Sequence, residues 1–399
     1  MTEPLTTAFS LPTDHPAGVG SPLDPTRQCR PNDLSRRAFP DGHHGWLATG
    51  HGTVRAILSD PRFSARTELL HSPLADLGPL PPASPGSFLH LDAPKHTRYR
   101  KLLSGKFTAH RMGPLTERVA QISTEHLDAM ERRGGPLDLV TSFAQPIPAL
   151  TICELLGVPE TDRDRFQRLV TALVTDLNDP DSPLEHGIAV LEETQEYVRD
   201  LVAAKRSAPT DDLLSELTST DLASSELTGI GVLLLIGGFE TAANTLALAT
   251  LTLLRHPEHL AALRADPSRA DRTIEELMRY LTTVNTLTRS AREDVELAGH
   301  TIAAGESVAL SLHAANHDPA AFTDPHTFDP DRHITGHLSF GHGIHHCLGH
   351  HLARLELRTA LPALLVRFPT LRLAVPTDEI TMRPDRVGIS GVRRLPVTW

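Results

Sequence analysis

One cysteine lies in an unusual run, Phe340-Gly-His-Gly-Ile-His-His-Cys-Leu-Gly349, whose composition suits metal or cofactor ligation. The apolar spacing that follows predicts a helix over Leu348–Phe368, with Cys347 at its first turn. There the exposed backbone N–H groups and the helix dipole favour a thiolate. Gly341, Gly343 and Gly349 carry no side chain, which suits the close approach of a flat cofactor. Two other readings stand beside this one. A lone cysteine is commonly a small buried hydrophobe. His342, His345, His346, His350 and His351 also offer nitrogen ligands for zinc or copper. Against that, no second cysteine completes a structural zinc set, and adjacent histidines cannot all face one ion.

Further chemistry-bearing groups are scattered upstream. Gly237-Gly-Phe-Glu-Thr241 falls midway along a predicted long helix, where each glycine costs about 1 kcal/mol against alanine. Room for a ligand or close helix packing would each justify that cost. On the packing reading, Glu240 and Thr241 are an incidental polar pair. Glu276 and Arg279 stand at i, i+3, a spacing at which helical side chains pair. His96, Arg100 and Arg289 taken singly read as surface charges.

The elements that must position these groups are mainly helical. Apolar periodicity predicts helices over Thr53–Asp60, Lys95–Ser104, Leu115–Arg133, Pro148–Leu156, Thr161–Leu177 and Leu184–Lys205. It continues over Ser225–His256, His259–Ala265 and Arg269–Leu281. Asp294–Ser311 alternates around Gly299 and Gly305 as β-hairpins do, and the tail after Thr370 reads as short strands. The fold class is therefore mainly α with small β-sheets. Residues 1–45 read as an extended arm and 46–399 as one domain organised on the long helix. His71–Ser87 holds five prolines and reads as a functional loop; Asn178–Pro183 reads as a second mobile break.

Totals narrow the classes. The 399 residues are 40% hydrophobic and only 4% aromatic, so the core is mostly Leu, Ala and Val. A net charge of −11 argues against non-specific nucleic-acid binding. Cys29, Cys153 and Cys347 lie far apart and imply no disulfide framework, which points to the cytoplasm. The N-terminus has no signal-peptide pattern, and the apolar stretch Gly229–Leu254 carries Glu240 and Asn244, so it reads as buried and not membrane-spanning. No exposed heptad or sheet edge is evident, so a monomer is expected.

Phe340, Gly343, His345, Cys347 and Gly349 resemble the haem-binding loop of the cytochrome P-450 family, F-x-x-G-x-H/R-x-C-x-G. His350 and His351 stand where that family often has Ala-Pro. Gly237–Thr241 is similar to its oxygen-activating [A/G]-G-x-[D/E]-T motif, with Gly237 for the commoner Ala and Phe239 where His is frequent. Glu276 and Arg279 resemble its E-x-x-R pair, with Arg332 in Phe328-Asp-Pro-Asp-Arg332 as the candidate third member. His96-Thr-Arg-Tyr-Arg100, after Leu91-Asp-Ala-Pro, resembles its H-T-R-x-R helix, and Arg289 matches an arginine before the first β-hairpin. All four motifs fall in the family's order between about Thr53 and the C-terminus.

The resemblance implies the cytochrome P-450 fold and haem b (iron protoporphyrin IX), with Cys347 as the iron's axial ligand. His96, Arg100, Arg289 and His345 would hold its propionates, Phe340, Gly343 and Gly349 would shape the loop, and Gly237 and Gly238 would leave a groove for oxygen. Thr241 and Glu240 would deliver protons, and Glu276, Arg279 and Arg332 would lock the loop in register. Phe88, Leu233, Ile236, Gly237, Val284, Thr286 and Ile389 are the implied pocket walls, fitting an apolar, oxygen-poor small molecule. The implied activity is a monooxygenase that hydroxylates or otherwise tailors a bacterial secondary metabolite such as an antibiotic. With no flavin or iron–sulfur module in the chain, NAD(P)H-derived electrons would come from a separate ferredoxin and ferredoxin reductase. Arg98, Lys101, Lys106, His350 and Arg354 are candidates for the docking patch, although each alone is equally an ordinary solvated charge. Two rivals remain: a peroxygenase or oxidative-coupling enzyme of the same family, and a non-haem protein built on the histidine loop. The intact Glu240–Thr241 pair argues against the peroxygenase, and a non-haem protein would purify colourless or with zinc.

Overall fold

The structure, a computed structural model, describes residues 33–178, 184–383 and 388–399. Cys29, most of the expected arm and residues 179–183 of the second break lie outside the described residues.

The helices are α1 (His51–Ser59), α2 (Lys95–Ser104), α3 (Ala109–Met112), α4 (Leu115–Arg133), α5 (Pro146–Leu156), α6 (Arg163–Asn178), α7 (Leu184–Ser207), α8 (Leu213–Thr218), α9 (Ser224–Arg255), α10 (Pro257–Ala265), α11 (Ala270–Leu281), α12 (Leu312–Asn316) and α13 (His350–Arg367). The strands are β1 (Leu34–Ala38), β2 (His44–Ala48), β3 (Phe63–Ser64), β4 (Leu137–Asp138), β5 (Thr286–Ala291), β6 (Val295–Leu297), β7 (His300–Ile302), β8 (Ser307–Ser311), β9 (Arg372–Leu373) and β10 (Pro396–Thr398). The architecture is thus mainly α with small β-sheets.

Helix α9 is the axle. Its 32 residues extend about 48 Å at 1.5 Å per residue. It starts where the Glu226 carboxylate accepts the Ala223 N–H at 2.8 Å, and it stops at His256, before Pro257. Its length and apolarity match a membrane span, yet 72% of its most apolar window is buried inside the protein, as befits a core helix. The N-terminal half, including Leu227, Leu235 and Phe239, packs with α5, α6 and α7 in one apolar cluster. The C-terminal half, from Leu246 to Leu253, packs with α4, α11 and α13 in another.

A five-stranded sheet, in the order β1-β2-β8-β5-β3, closes the other side. Strands β2 and β8 pair in parallel and the remaining neighbours antiparallel. The β6–β7 hairpin turns at Ala298 and Gly299, both at positive φ (50° and 78°), the geometry whose twist suits a two-residue hairpin.

The extended-arm expectation needs correction, because its last residues form the β1–β2 hairpin at the sheet edge. What holds that hairpin is remote in sequence: Trp46 Nε1 and Arg36 donate to the two oxygens of Glu306 at 2.7 and 2.6 Å. No local pattern announces such partners.

Candidate active site

The cysteine loop hangs between β8–α12 and α13. Cys347 does not sit in the first turn of α13, as its spacing predicted; the helix begins three residues later, at His350. The cysteine occupies the approach to it, its N–H donating to the Phe340 carbonyl at 2.8 Å. Burial pushes the Cys347 thiol up, opposed by the Gly349 N–H and by the Arg100 and Arg354 guanidiniums. A coordinated metal cation overrides that balance, since a ligating thiol is deprotonated outright. Gly343 also has a reason within the chain to be glycine. Its φ is +70°, and a Cβ there would meet the Leu58 carbonyl oxygen of α1 at 2.2 Å. The loop therefore rests backbone-to-backbone on the end of α1.

A cradle of two guanidiniums and two imidazoles faces this loop. Helix α2 contributes His96 and Arg100, strand β5 contributes Arg289, and the loop itself contributes His345. The His96 and His345 rings lie 4.2 Å apart, centroid to centroid. Arg100 donates to the His346 carbonyl at 3.0 Å and Arg289 to the Thr288 carbonyl at 2.8 Å. Burial, then neighbouring guanidiniums, push His345 down to about 2; the same two causes, led by burial, take His96 to about 4. Burial also lowers Arg289 to about 10, with Asp92 as the nearby counter-charge. Both ring nitrogens of His96 are buried without a hydrogen-bond partner. Buried donors and cations so arranged require anions. The paired carboxylates of haem would fit that requirement, with the neighbouring Cys347 thiol as the candidate sulfur ligand.

On α9, the Gly237 Cβ position has no atom within 4 Å, whereas a Cβ on Gly238 would touch Ile152 at 3.1 Å. The open groove predicted for both glycines thus belongs to Gly237, and Gly238 serves packing against α5. The Thr241 hydroxyl donates to the Gly237 carbonyl at 2.8 Å, and Thr245 donates to the Thr241 carbonyl at 2.6 Å. Such back-bonding bends helices. Glu240 is buried and pairs with Arg383 at 3.3 Å; Arg383 also donates to Asn244 at 3.4 Å. Sequence reasoning missed Arg383, which carries no motif and reaches α9 from the C-terminal tail, where its N–H bonds Gly391.

Glu276 and Arg279 on α11 are both fully buried. Arg279 donates to both Glu276 oxygens, at 2.7 and 2.8 Å, and to the carbonyls of Asn316 and Pro325. Glu276 also accepts the Asp329 N–H at 2.9 Å and Arg332 Nε at 3.3 Å. The trio thereby ties α11 to the coil that precedes the cysteine loop.

Of the expected pocket walls, Phe88, Leu233 and Ile236 belong to one apolar cluster, Val284 bridges Ile389, and Thr286 lies buried on β5. The His71–Ser87 loop is anchored at both ends. His71 stacks on His43 at 3.7 Å and bonds Asp41, and a Cβ on Gly86 would meet the Glu226 carbonyl of α9 at 2.1 Å. The proposed docking cations are mostly engaged within the chain: Arg98 with Glu226 and Asp221, Lys106 with Glu216, and Arg354 with Glu275. Lys101 is exposed. Cys153 is a free, buried thiol, and among the described residues no cluster of His, Cys, Asp and Glu can hold a metal ion, which disfavours the histidine-loop zinc site.

Comparison with known proteins shows which family the chain resembles. The family model for Cytochrome P-450 matches residues 186–390. Cytochrome P-450 105C1 from Streptomyces sp is 44% identical, with 100% of both chains covered. The 6-deoxyerythronolide B hydroxylase of Saccharopolyspora erythraea is 39% identical over 89% of this chain and 90% of its own. Among solved structures, CYP105P1 in complex with filipin I matches with a TM-score of 0.89 at 37% identity, over 98% of this chain and 99% of the other.

Proposed function

The chain belongs to the cytochrome P-450 family and is a haem-dependent monooxygenase; from that premise we propose that it hydroxylates an apolar, oxygen-poor small molecule in bacterial secondary metabolism. Polyketides, terpenoids and steroids have that character. A relative named 6-deoxyerythronolide B hydroxylase and one solved with filipin I support the secondary-metabolite class, and the apolar character of Phe88, Leu233, Ile236, Val284 and Ile389 supports an apolar substrate face. NAD(P)H-derived electrons arrive through separate redox proteins, which we take to be a ferredoxin and its reductase. The enzyme is read as a cytoplasmic monomer.

The observation that carries the site assignment is the buried cradle beside Cys347. Haem, when bound, supplies the iron at which molecular oxygen is reduced and cleaved. His96, Arg100, Arg289 and His345 would hold its carboxylates, and Cys347, oriented by the Gly349 N–H, would give the sulfur ligand. Thr241 holds a proton at its hydroxyl. To pass it on, the hydroxyl swings from the Gly237 carbonyl toward the Gly237 groove. The Glu240 carboxylate, held by Arg383, takes up a proton from solvent and relays it to Thr241 to replace the one passed on. The Glu240–Thr241 pair favours oxygen over peroxide as the oxidant. Strict dependence of product on NAD(P)H checks that choice.

The test is the absorption spectrum of the purified protein, reduced with dithionite and exposed to carbon monoxide. A strongly red-shifted Soret band is expected from thiolate ligation. A band of the histidine-ligated kind, or a colourless protein, would remove Cys347 as the sulfur ligand.

A further inference from the structure

Arg354 connects the cysteine loop, α11 and α13. It lies on α13, one turn into the helix that follows the cysteine loop, and its guanidinium is held on three sides. Glu275 of α11, the residue before the locked Glu276, accepts Arg354 Nε at 2.5 Å and Nη2 at 2.9 Å, a bidentate pair. His337 contacts the same carboxylate at 3.3 Å. On the far side, Arg354 Nη1 donates to His350 Nδ1 at 2.9 Å. The guanidinium carbon then lies 4.4 Å from the centroid of Phe340, a stacked cation–π contact. Phe340 is also the residue whose carbonyl receives the Cys347 N–H at 2.8 Å.

We propose that Glu275 and Arg354 are positioning residues for the cysteine ligand: Glu275 aligns the Arg354 guanidinium over Phe340, which fixes the ring and keeps a positive charge behind Cys347. The fork of arginine is needed because one planar group must meet a carboxylate edge-on and an aromatic ring face-on at once. Lysine keeps the charge and loses both fits. The pair is distinct from the Glu276–Arg279–Arg332 lock, which grips the coil before the loop, whereas this brace grips the loop from the helix after it.

The inference rests on the haem-thiolate reading, and the experiment separates the two. The carbon monoxide spectrum of the wild-type holoenzyme tests that reading by itself. With the thiolate band in hand, the haem reduction potential and the lifetime of that band are measured for Arg354→Met, Arg354→Lys and Glu275→Gln, with no redox partner present. Arg354→Met should lower the equilibrium constant for reduction about tenfold, about 59 mV for one electron, since a cation beside the ligand is lost. Arg354→Lys should restore the potential and leave the band short-lived. Glu275→Gln should shorten the band lifetime about tenfold with haem content unchanged. A docking role alone would move none of these readings. Wild-type potential and lifetime in Arg354→Met would overturn the proposal. Should that variant fail to fold, wild-type band lifetimes in both Glu275→Gln and Arg354→Lys overturn it equally.

Discussion

The Thr241 hydroxyl is satisfied within its own helix, by the Gly237 carbonyl, so proton delivery requires that one bond to be exchanged for another. An intrahelical hydroxyl bond is worth about 1 kcal/mol net, a small barrier to rotation. Thr241→Ala removes the hydroxyl and leaves the cradle untouched. We expect full haem content, a loss of product of roughly 10²-fold, the scale of a missing general acid, and a matching rise in hydrogen peroxide per NAD(P)H consumed. Unchanged product per electron would take Thr241 out of the proton path. At this scale much was legible, because the family's motifs are local: Glu240 and Thr241 are adjacent, and Glu276 and Arg279 are one turn apart. Arg383 was not legible, since only the folded chain sets it against Glu240.

Elements decide where those residues point, and they also create environments that sequence hides. Helix α13 carries Glu356 on its core face, where it is buried against α5 with a hydrogen bond from Thr151. Burial raises its carboxyl to about 8. The acid is neutral in the native protein and ionises on unfolding, at its ordinary value of 4.5. Between those two values the unfolded chain binds fewer protons than the native one, so stability falls as pH rises from about 4.5 to about 8. Glu356→Gln abolishes that slope. Thermal unfolding of both proteins across the window should show the wild type losing on the order of a few kcal/mol relative to the variant, at about 1.4 kcal/mol per pH unit. Parallel melting curves at every pH would place the ionisation elsewhere. The register of α13 itself differed from its expected start at Leu348, because the residues around Cys347 spend their backbone groups on the loop: its N–H goes to Phe340 and that of His346 to Gly343.

Across the whole molecule, α9 belongs to two apolar clusters at once, one around its N-terminal half and one around its C-terminal half. Separating the clusters would mean breaking an unbroken 32-residue helix, so the described residues from Leu34 onward are proposed to unfold as a single unit. Far-ultraviolet circular dichroism and haem absorbance should then follow one denaturant transition with a common midpoint. Two resolved transitions would divide the chain into domains. The sequence by itself determined the helical class, the long axle and the order of the chemical motifs, because apolar periodicity and glycine placement are properties of neighbouring residues. Tertiary structure alone decided that Leu34–Ala48 joins the sheet, that Gly343 must spare the Leu58 carbonyl, and that Arg98, Lys106 and Arg354 face carboxylates within the chain. Each of those depends on partners many residues distant, whose charge and backbone meet only once the core has closed.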